Sequence, residues 1–600
     1  MKKILGIILT LIIAISLSSC VNTSDATTQE SVVTTTIDPN TGQNTIVDTS
    51  LTYSSIGEVG IALALSLTDD QKNVTLPGEY TTGVYEITEA GNYYYTGDVT
   101  SAITVKKNSG NVHIYLDNVS MSVVDDTPIS SKTGANVTIT LIGNNTISNS
   151  LGSKEKDKHV IESKENLVIN GTGTLTINST KSAIATESTF IGLGGTINIT
   201  AVKNGIVADS IYLNGLTINA LSTGKDLIHA ESDYDGVDAV PTFDYSKGFV
   251  YILNAVINTT TVLGDAIQAD SFVYVKDGTF NLTTTPTWNN AYVATSNGEK
   301  GLYSASTHQK VSTDSVRKGS TYATLEESVK GIKVGEIDYT LSTNEDTELE
   351  VESDNYTILI EGGTFNINTI DDSIHANSGS VLIYGGNLTI NTSDDGIHAD
   401  KTLKISGNAV INIKNSYEGI EAEQIEISGG STTIVALDDG VNATNSDLSE
   451  SVQKQVCQLT VSGGRLDVTV SPNGDRDGID SNGGIKITGG VVISRGPNSE
   501  MASPMDAANT VSITGGSVII IGNAPGTGGR FSGSGRGGMG GPGGEASWAV
   551  SSMTKTQSNS KGLSSGSHSV VVDGVTISYT NQYSYSGYTT VFASKTATIN

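Results

Sequence analysis

The chain has 600 residues, with 63 Asp plus Glu against 34 Lys plus Arg and a formal net charge of −29. A surface this acidic repels nucleic acid and anionic lipid headgroups and suits cations, so nucleic acid is excluded as a partner. Aromatics are 6%, glycine reaches 67 residues and proline only 10; with abundant Ser, Thr, Asn, Val and Ile, this mixture favours strands and tight turns over helices.

Residues 1–20, MKKILGIILTLIIAISLSSC, place Lys2 and Lys3 before an apolar run from Ile4 to Leu17. The run is too short for a comfortable membrane span and reads as a signal peptide. Its Leu-Ser-Ser-Cys ending resembles the bacterial lipoprotein cleavage box. The expectation is cleavage before Cys20, lipidation of that thiol, and an extracellular protein that touches the outer face of the cell membrane through its anchor only. An ordinary secretory signal is the alternative. Residues 21–55, rich in Thr, Ser, Asp and Val, read as a flexible spacer. The second cysteine, Cys457, has no disulfide partner and is expected to be a buried thiol.

From residue 56 to 526 the chain repeats. Ile161, Ile184, Ile206 and Ile228 follow one another at 23, 22 and 22 residues, and Ile374, Ile397 and Ile420 at 23, with Val441 21 later. Ile267 and Ile479 follow gaps of 39 and 38, one period plus an insertion. Within GIHADKTLKISGNAVINIKNSY, apolar residues alternate over Gly396–Ala399, Leu403–Ser406 and Ala409–Lys414, with a turn at Gly407-Asn408. Period two indicates strands. Three short strands per period predict an all-β chain folded as a right-handed parallel β-helix of about fifteen coils. A β-propeller needs blades of about 40 residues and antiparallel hairpins. Insertions after Ala230, Val334 and Ala443 all fall between the first and second strands, on one face of such a stack. A fourth, Thr284 to Ser328, leaves after the third strand. Residues 527–566 read as a Gly/Ser-rich flexible segment and 567–600 as short terminal strands.

Two residues before six of the apolar anchors stands an acid: Asp265, Asp372, Asp395, Glu418, Asp439 and Asp477. Asp371, Asp394 and Asp438 precede three of them, and the positions one and three after the anchor hold His375, His398, Asp400, Glu421, Glu423 and Asp480. Asp-Gly is common turn chemistry, which accounts for one acid per coil. Unit charges about 5 Å apart, however, repel by about 1 kcal/mol in water and about 3–4 kcal/mol at an effective dielectric near 20. A hard cation with oxygen ligands relieves that cost, and Ca²⁺ takes six to eight oxygens from this menu. Calcium, purely structural turns and catalytic carboxylates therefore stand as the three readings. No Cys/His set completes a tetrahedral zinc site, so His375 and His398 are expected beside the metal, facing a ligand.

The runs EAGNYYYTGDV, GNVHIYLDNVSM, SVKGIKVG, DDGIHAD with SYEGIEAE, and DRDGIDSNGGIKITGG resemble a family of bacterial surface β-helix proteins. That family is pectate-lyase-like in structure, associated with calcium, and binds plant cell-wall polysaccharide, notably polygalacturonate, with cellulose a further ligand. The resemblance covers about Tyr80 to Gly526. It implies carbohydrate binding without established catalysis, an acidic polysaccharide as partner, and a cation-rich face formed by Asp371, Asp372, Asp394, Asp395, Glu418, Glu421, Asp438 and Asp439. The insertion after Gly335 and Arg476 inside the GDGID-like motif depart from the pattern. Two alternatives remain: a calcium-dependent pectate lyase, whose base would come from Lys401, Lys414 or Arg476, and a surface adhesin whose calcium is structural only.

Overall fold

The computed structural model describes residues 34–37, 44–47, 78–523 and 547–600, except 233, 240–246, 285–290, 297–298, 305–309, 313–328, 336, 352–354, 370, 475 and 500–501. Cys20 and most of the 284–328 insertion lie outside the described residues. The chain divides into two units, Met1–Gly60 and Ile61–Asn600. In the first, Thr34–Ile37 pairs antiparallel with Asn44–Val47, inside the stretch expected to be a spacer. Its β-branched residues flank Pro39-Asn40-Thr41-Gly42, a turn composition.

Among its described residues the second unit is all-β apart from one seven-residue helix, Glu450–Val456, in the insertion after Ala443. Its ladder is mainly parallel, and each strand pairs with its counterpart one period on. The anchors Ile161, Ile184, Ile206, Ile228, Ile267, Ile332, Ile374, Ile397, Ile420, Val441 and Ile479 stand directly opposite one another in succession. The pairing carries the register across both long gaps and adds Ile332 to the column. Phe190 through Leu403 to Val511 form a second column. A third runs from Leu175 through Phe280 and Phe365 to Val518. Apart from Thr432 in the third, these residues belong to one buried core, so every repeat contributes to the same apolar interior.

The corners before Ile397 and Ile420 are not breaks. Asn387–Ile405 is one continuous 19-residue strand, paired with Val410–Ile427 through the Ser393–Ala399 corner, with a register shift between Ala399 and Thr402. The first two insertions share a sheet: Tyr234–Val237 lies parallel to Ile337–Leu341, which pairs antiparallel with Asn344–Val351. Outside the core, amides of the third column stack, Asn219 Nδ2 donating to Asn198 Oδ1 at 2.8 Å and Asn258 Nδ2 to Asn219 Oδ1 at 2.9 Å.

The ladder also extends further than the composition suggests. Ser547–Ala549 pairs parallel with Thr510–Ile513, and Thr554–Ser558 pairs antiparallel with Tyr588–Ala593. Both elements lie within the stretch read as flexible; the glycine-rich residues 524–546 are outside the described set. Trp548 stacking near Phe592, with centroids 6.4 Å apart, supplies the apolar contact that a reading from glycine content overlooks. Tyr588–Ala593 also pairs antiparallel with Ser517–Gly522, so the last parallel edge is occupied.

The glycine of the acidic corner is required by stacking, not by backbone angle. A Cβ on Gly396 would lie 2.4 Å from the Gly419 carbonyl oxygen, on Gly419 2.1 Å from that of Gly440, and on Gly440 2.6 Å from that of Gly478. Gly484, at a strand start, meets nothing nearer than 3.5 Å. Gly419→Ala should therefore destabilise the protein by about 1–3 kcal/mol, as overpacking does. Gly484→Ala should change stability by less than about 0.5 kcal/mol. Urea titration of both variants measures the difference.

Candidate metal-binding column

The register turns the acidic corners into a column. Asp395 is paired with Glu418, and His375, His398, Glu421, Asn442 and Asp480 succeed one another on adjacent strands. The column is recessed and not an open surface: Asp394 is 2% exposed, Asp372 6% and His375 9%.

Part of the column is turn chemistry. Asp372 Oδ1 accepts from the Asp395 backbone N–H at 2.9 Å, and Asp439 Oδ1 from that of Asp477 at 2.6 Å. Asp226 accepts from the Asp265 N–H at 2.7 Å, Asp265 from that of Lys330 at 2.5 Å, and Asp477 from that of Ser503. Each of these carboxylates satisfies a backbone donor of the next repeat.

Among the described residues the remaining capacity gathers in four groups, within each of which one donor atom per residue lies within 4.8 Å of the others: Asp371, Asp372 and Asp394; Asp372, His375 and His398; Asp395, His398 and Glu421; and Asp477, Asp480 and Asp506. Oxygens on opposite sides of a Ca²⁺ ion are at most about 5 Å apart. The first and last groups, all carboxylate, therefore fit calcium in spacing and in donor chemistry. Glu418, Asp438 and Asp439 fall outside these groups. Asn442 Nδ2 bridges Glu418 Oε2 and Glu421 Oε2 at 3.0 and 2.9 Å. Asp400 holds the Ser378 N–H at 2.6 Å, and Glu423 accepts from Asn445 Nδ2 at 2.8 Å.

Residues that the spacing analysis passed over complete the picture. Lys330 Nζ lies 2.7 Å from Asp371 Oδ2, and Lys333 occupies the position opposite His375. His229 sits between Asp226 and Asp270 at 3.2 and 3.1 Å. Its signal was present, since Leu-Ile-His-Ala at 227–230 repeats Ser-Ile-His-Ala at 373–376 and Gly-Ile-His-Ala at 396–399. Asp506 carried no such signal, because its repeat lacks the Asp-Gly corner. Of the basic residues expected near a lyase site, Lys414 donates to Asn391 Oδ1 at 2.9 Å and Lys401 lies 3.9 Å from Glu423 Oε2.

Burial and crowding strain the column. Burial, then Asp372 and Glu421, push Asp395 up to about 7. Burial raises Glu418 well above the carboxylate range, with Asp395 and Asp439 adding to it; Glu421 rises by burial and Glu418, and Asp439 by burial and Asp480. Asp372 moves the other way: burial opposes its charge, but the His375 hydrogen bond and Lys330 hold it low. His398 is raised against burial by Asp395 and Asp400.

A carboxylate raised on folding gives the folded state an extra proton, so its contribution is lost as pH rises from the unfolded value near about 4 through the folded one. His398 reinforces this, its contribution being present below about 6.5 and lost as pH rises through its folded value. Asp372, held low, loses its contribution only below about pH 4. In chelator, the thermal midpoint should therefore fall between pH 5 and pH 8. Asp395→Asn should flatten that fall, and added Ca²⁺ should shrink it, as differential scanning calorimetry would record.

A family model described as "Carbohydrate-binding domain-containing protein" matches residues 81–396 and 327–474, more than half of the chain. Asp371 to Asp439 lie inside the match and Asp477, Asp480 and Asp506 beyond it. Comparison with curated proteins and with solved structures returned no match.

Proposed function

The chain belongs to the carbohydrate-binding domain-containing family, and from that premise we propose that it is a lipid-anchored surface protein that holds an acidic plant cell-wall polysaccharide through calcium on its carboxylate column. The reading takes the parallel ladder as a right-handed, pectate-lyase-like β-helix and places the protein outside the cell, tethered through Cys20. Its main support is the pair of all-carboxylate groups, Asp371/Asp372/Asp394 and Asp477/Asp480/Asp506. A chain of charge −29 would otherwise repel polygalacturonate. Bound calcium would supply the positive charge that bridges protein and uronate carboxylates. The chain's own residues do the rest: Lys330 offsets Asp371 at one edge, and backbone N–H groups fix the Asp372 carboxylate in its orientation.

Metal-free protein should lose retention on polygalacturonate and melt at a lower temperature, since an ion bound only by the folded state at a hundredfold excess over its Kd stabilises by about 2.7 kcal/mol. Asp394→Asn should weaken both effects without unfolding the protein. If chelation lowers the melting temperature but leaves retention intact, calcium is structural and the glycan binds elsewhere. Calcium-dependent accumulation of unsaturated uronates, abolished by Lys330→Ala, would replace the binding reading with a lyase. Cys20→Ala should shift the protein out of the membrane fraction; unchanged fractionation would remove the anchor from the proposal.

A further inference from the structure

The middle of the column differs in chemistry from its two ends. His375 and His398 are direct partners across adjacent strands, with ring centroids 4.6 Å apart. Both turn Nδ1 toward the same carboxylate: His375 Nδ1 lies 2.6 Å and His398 Nδ1 3.9 Å from Asp372 Oδ2. Asp395 Oδ2, 3.2 Å from His398 Nδ1, adds an oxygen. The outer nitrogen of His398 is held from behind, Nε2 lying 3.3 Å from Asp400 Oδ1 and 3.6 Å from Glu421 Oε1. A carboxylate behind an imidazole fixes its tautomer and turns the other nitrogen inward, as in metal sites that use histidine.

We infer that Asp372, His375 and His398, whose donor atoms lie within 4.8 Å of one another, form a centre for a borderline divalent metal of the zinc class, distinct in ion from the calcium groups and sharing Asp372 with the first of them. Calcium prefers oxygen donors throughout. Two imidazole nitrogens with one carboxylate oxygen make instead a three-donor set suited to zinc and its first-row neighbours, which leaves a fourth position to water or a ligand oxygen. The expectation drawn from sequence, that no zinc set is complete, counted Cys and His alone; the register supplies a third donor as Asp372. Metal binding at His375 Nδ1 displaces the proton that this nitrogen shares with Asp372, and the proton moves to Nε2, so the imidazole stays neutral. The site goes beyond the calcium reading and does not depend on it.

The test uses the full chain, stripped with chelator and desalted, and titrated calorimetrically with Zn²⁺ in excess Ca²⁺. The expected result is one equivalent of Zn²⁺ that Ca²⁺ does not displace, with zinc-edge X-ray absorption showing imidazole scattering. His398→Gln and His375→Gln should each weaken Zn²⁺ binding by about 100-fold and Asp400→Asn by about 10-fold, the range seen for supporting groups. The calcium-induced rise in melting temperature should persist in all three, which also shows that they fold. A stoichiometry near zero, loss of the ion to Ca²⁺, or Zn²⁺ affinity unchanged in both histidine variants would overturn the inference. Retention on polygalacturonate in Ca²⁺ alone is read separately, so failure of the zinc site leaves the calcium reading standing, and the reverse.

Discussion

Parallel strands in register place chemically equivalent residues about 4.8 Å apart, one above the next, and that spacing governs this molecule. Where the repeated residue is apolar, as at Ile374, Ile397 and Ile420, stacking extends the core. Where it is acidic, the same spacing sets carboxylates against each other at about 3–4 kcal/mol per pair at an effective dielectric near 20. A ladder cannot relieve this by sliding, because a one-residue slip would turn the apolar column outward. The repulsion has to be answered locally, repeat by repeat.

The answers differ along the column. At Asp265 and Asp371 the cation of Lys330 stands beside the acids. At Asp372 and Asp395 imidazoles take that place. At Glu418 and Glu421 the neutral amide of Asn442 bridges the two carboxylates, and both carboxyls are raised well above their usual range. Backbone N–H groups help at Asp372 and Asp439 but stabilise only one oxygen of each. The position after the anchor thus decides what each repeat attracts: Lys333, His375, His398, Glu421, Asn442 and Asp480 grade from cationic through imidazole to anionic on one continuous strand face.

Periodicity was legible in the sequence because the core demands it. The isoleucine spacing located Ile161 through Ile479, including the members beyond both long gaps, since an apolar residue facing the interior tolerates little else. It missed Ile332, whose distance from Ile267 is stretched by the 284–328 insertion. The site was legible only where it obeyed the same spacing. Asp372, Asp395 and His398 stand in phase with an anchor; Lys330 and Asp506 gain their places from pairing across insertions that no spacing rule spans. Burial was not legible from spacing: Asp394, within the continuous strand Asn387–Ile405, is 2% exposed.

The corner glycines connect these two levels. Gly396, Gly419 and Gly440 have no room for a side chain, since the carbonyl of the next repeat occupies that space. Removing the Cβ lets successive corners approach closely enough for Asp395 to face Glu418 and for His398 to face Glu421. The contact that packs the backbone is therefore the contact that crowds the charges. A sequence with bulkier corners would relax the electrostatic strain and lose the donor spacing with it. The Asp-Gly pair that reads as ordinary turn chemistry is, in this ladder, the device that brings ligands from different repeats within reach of a single ion.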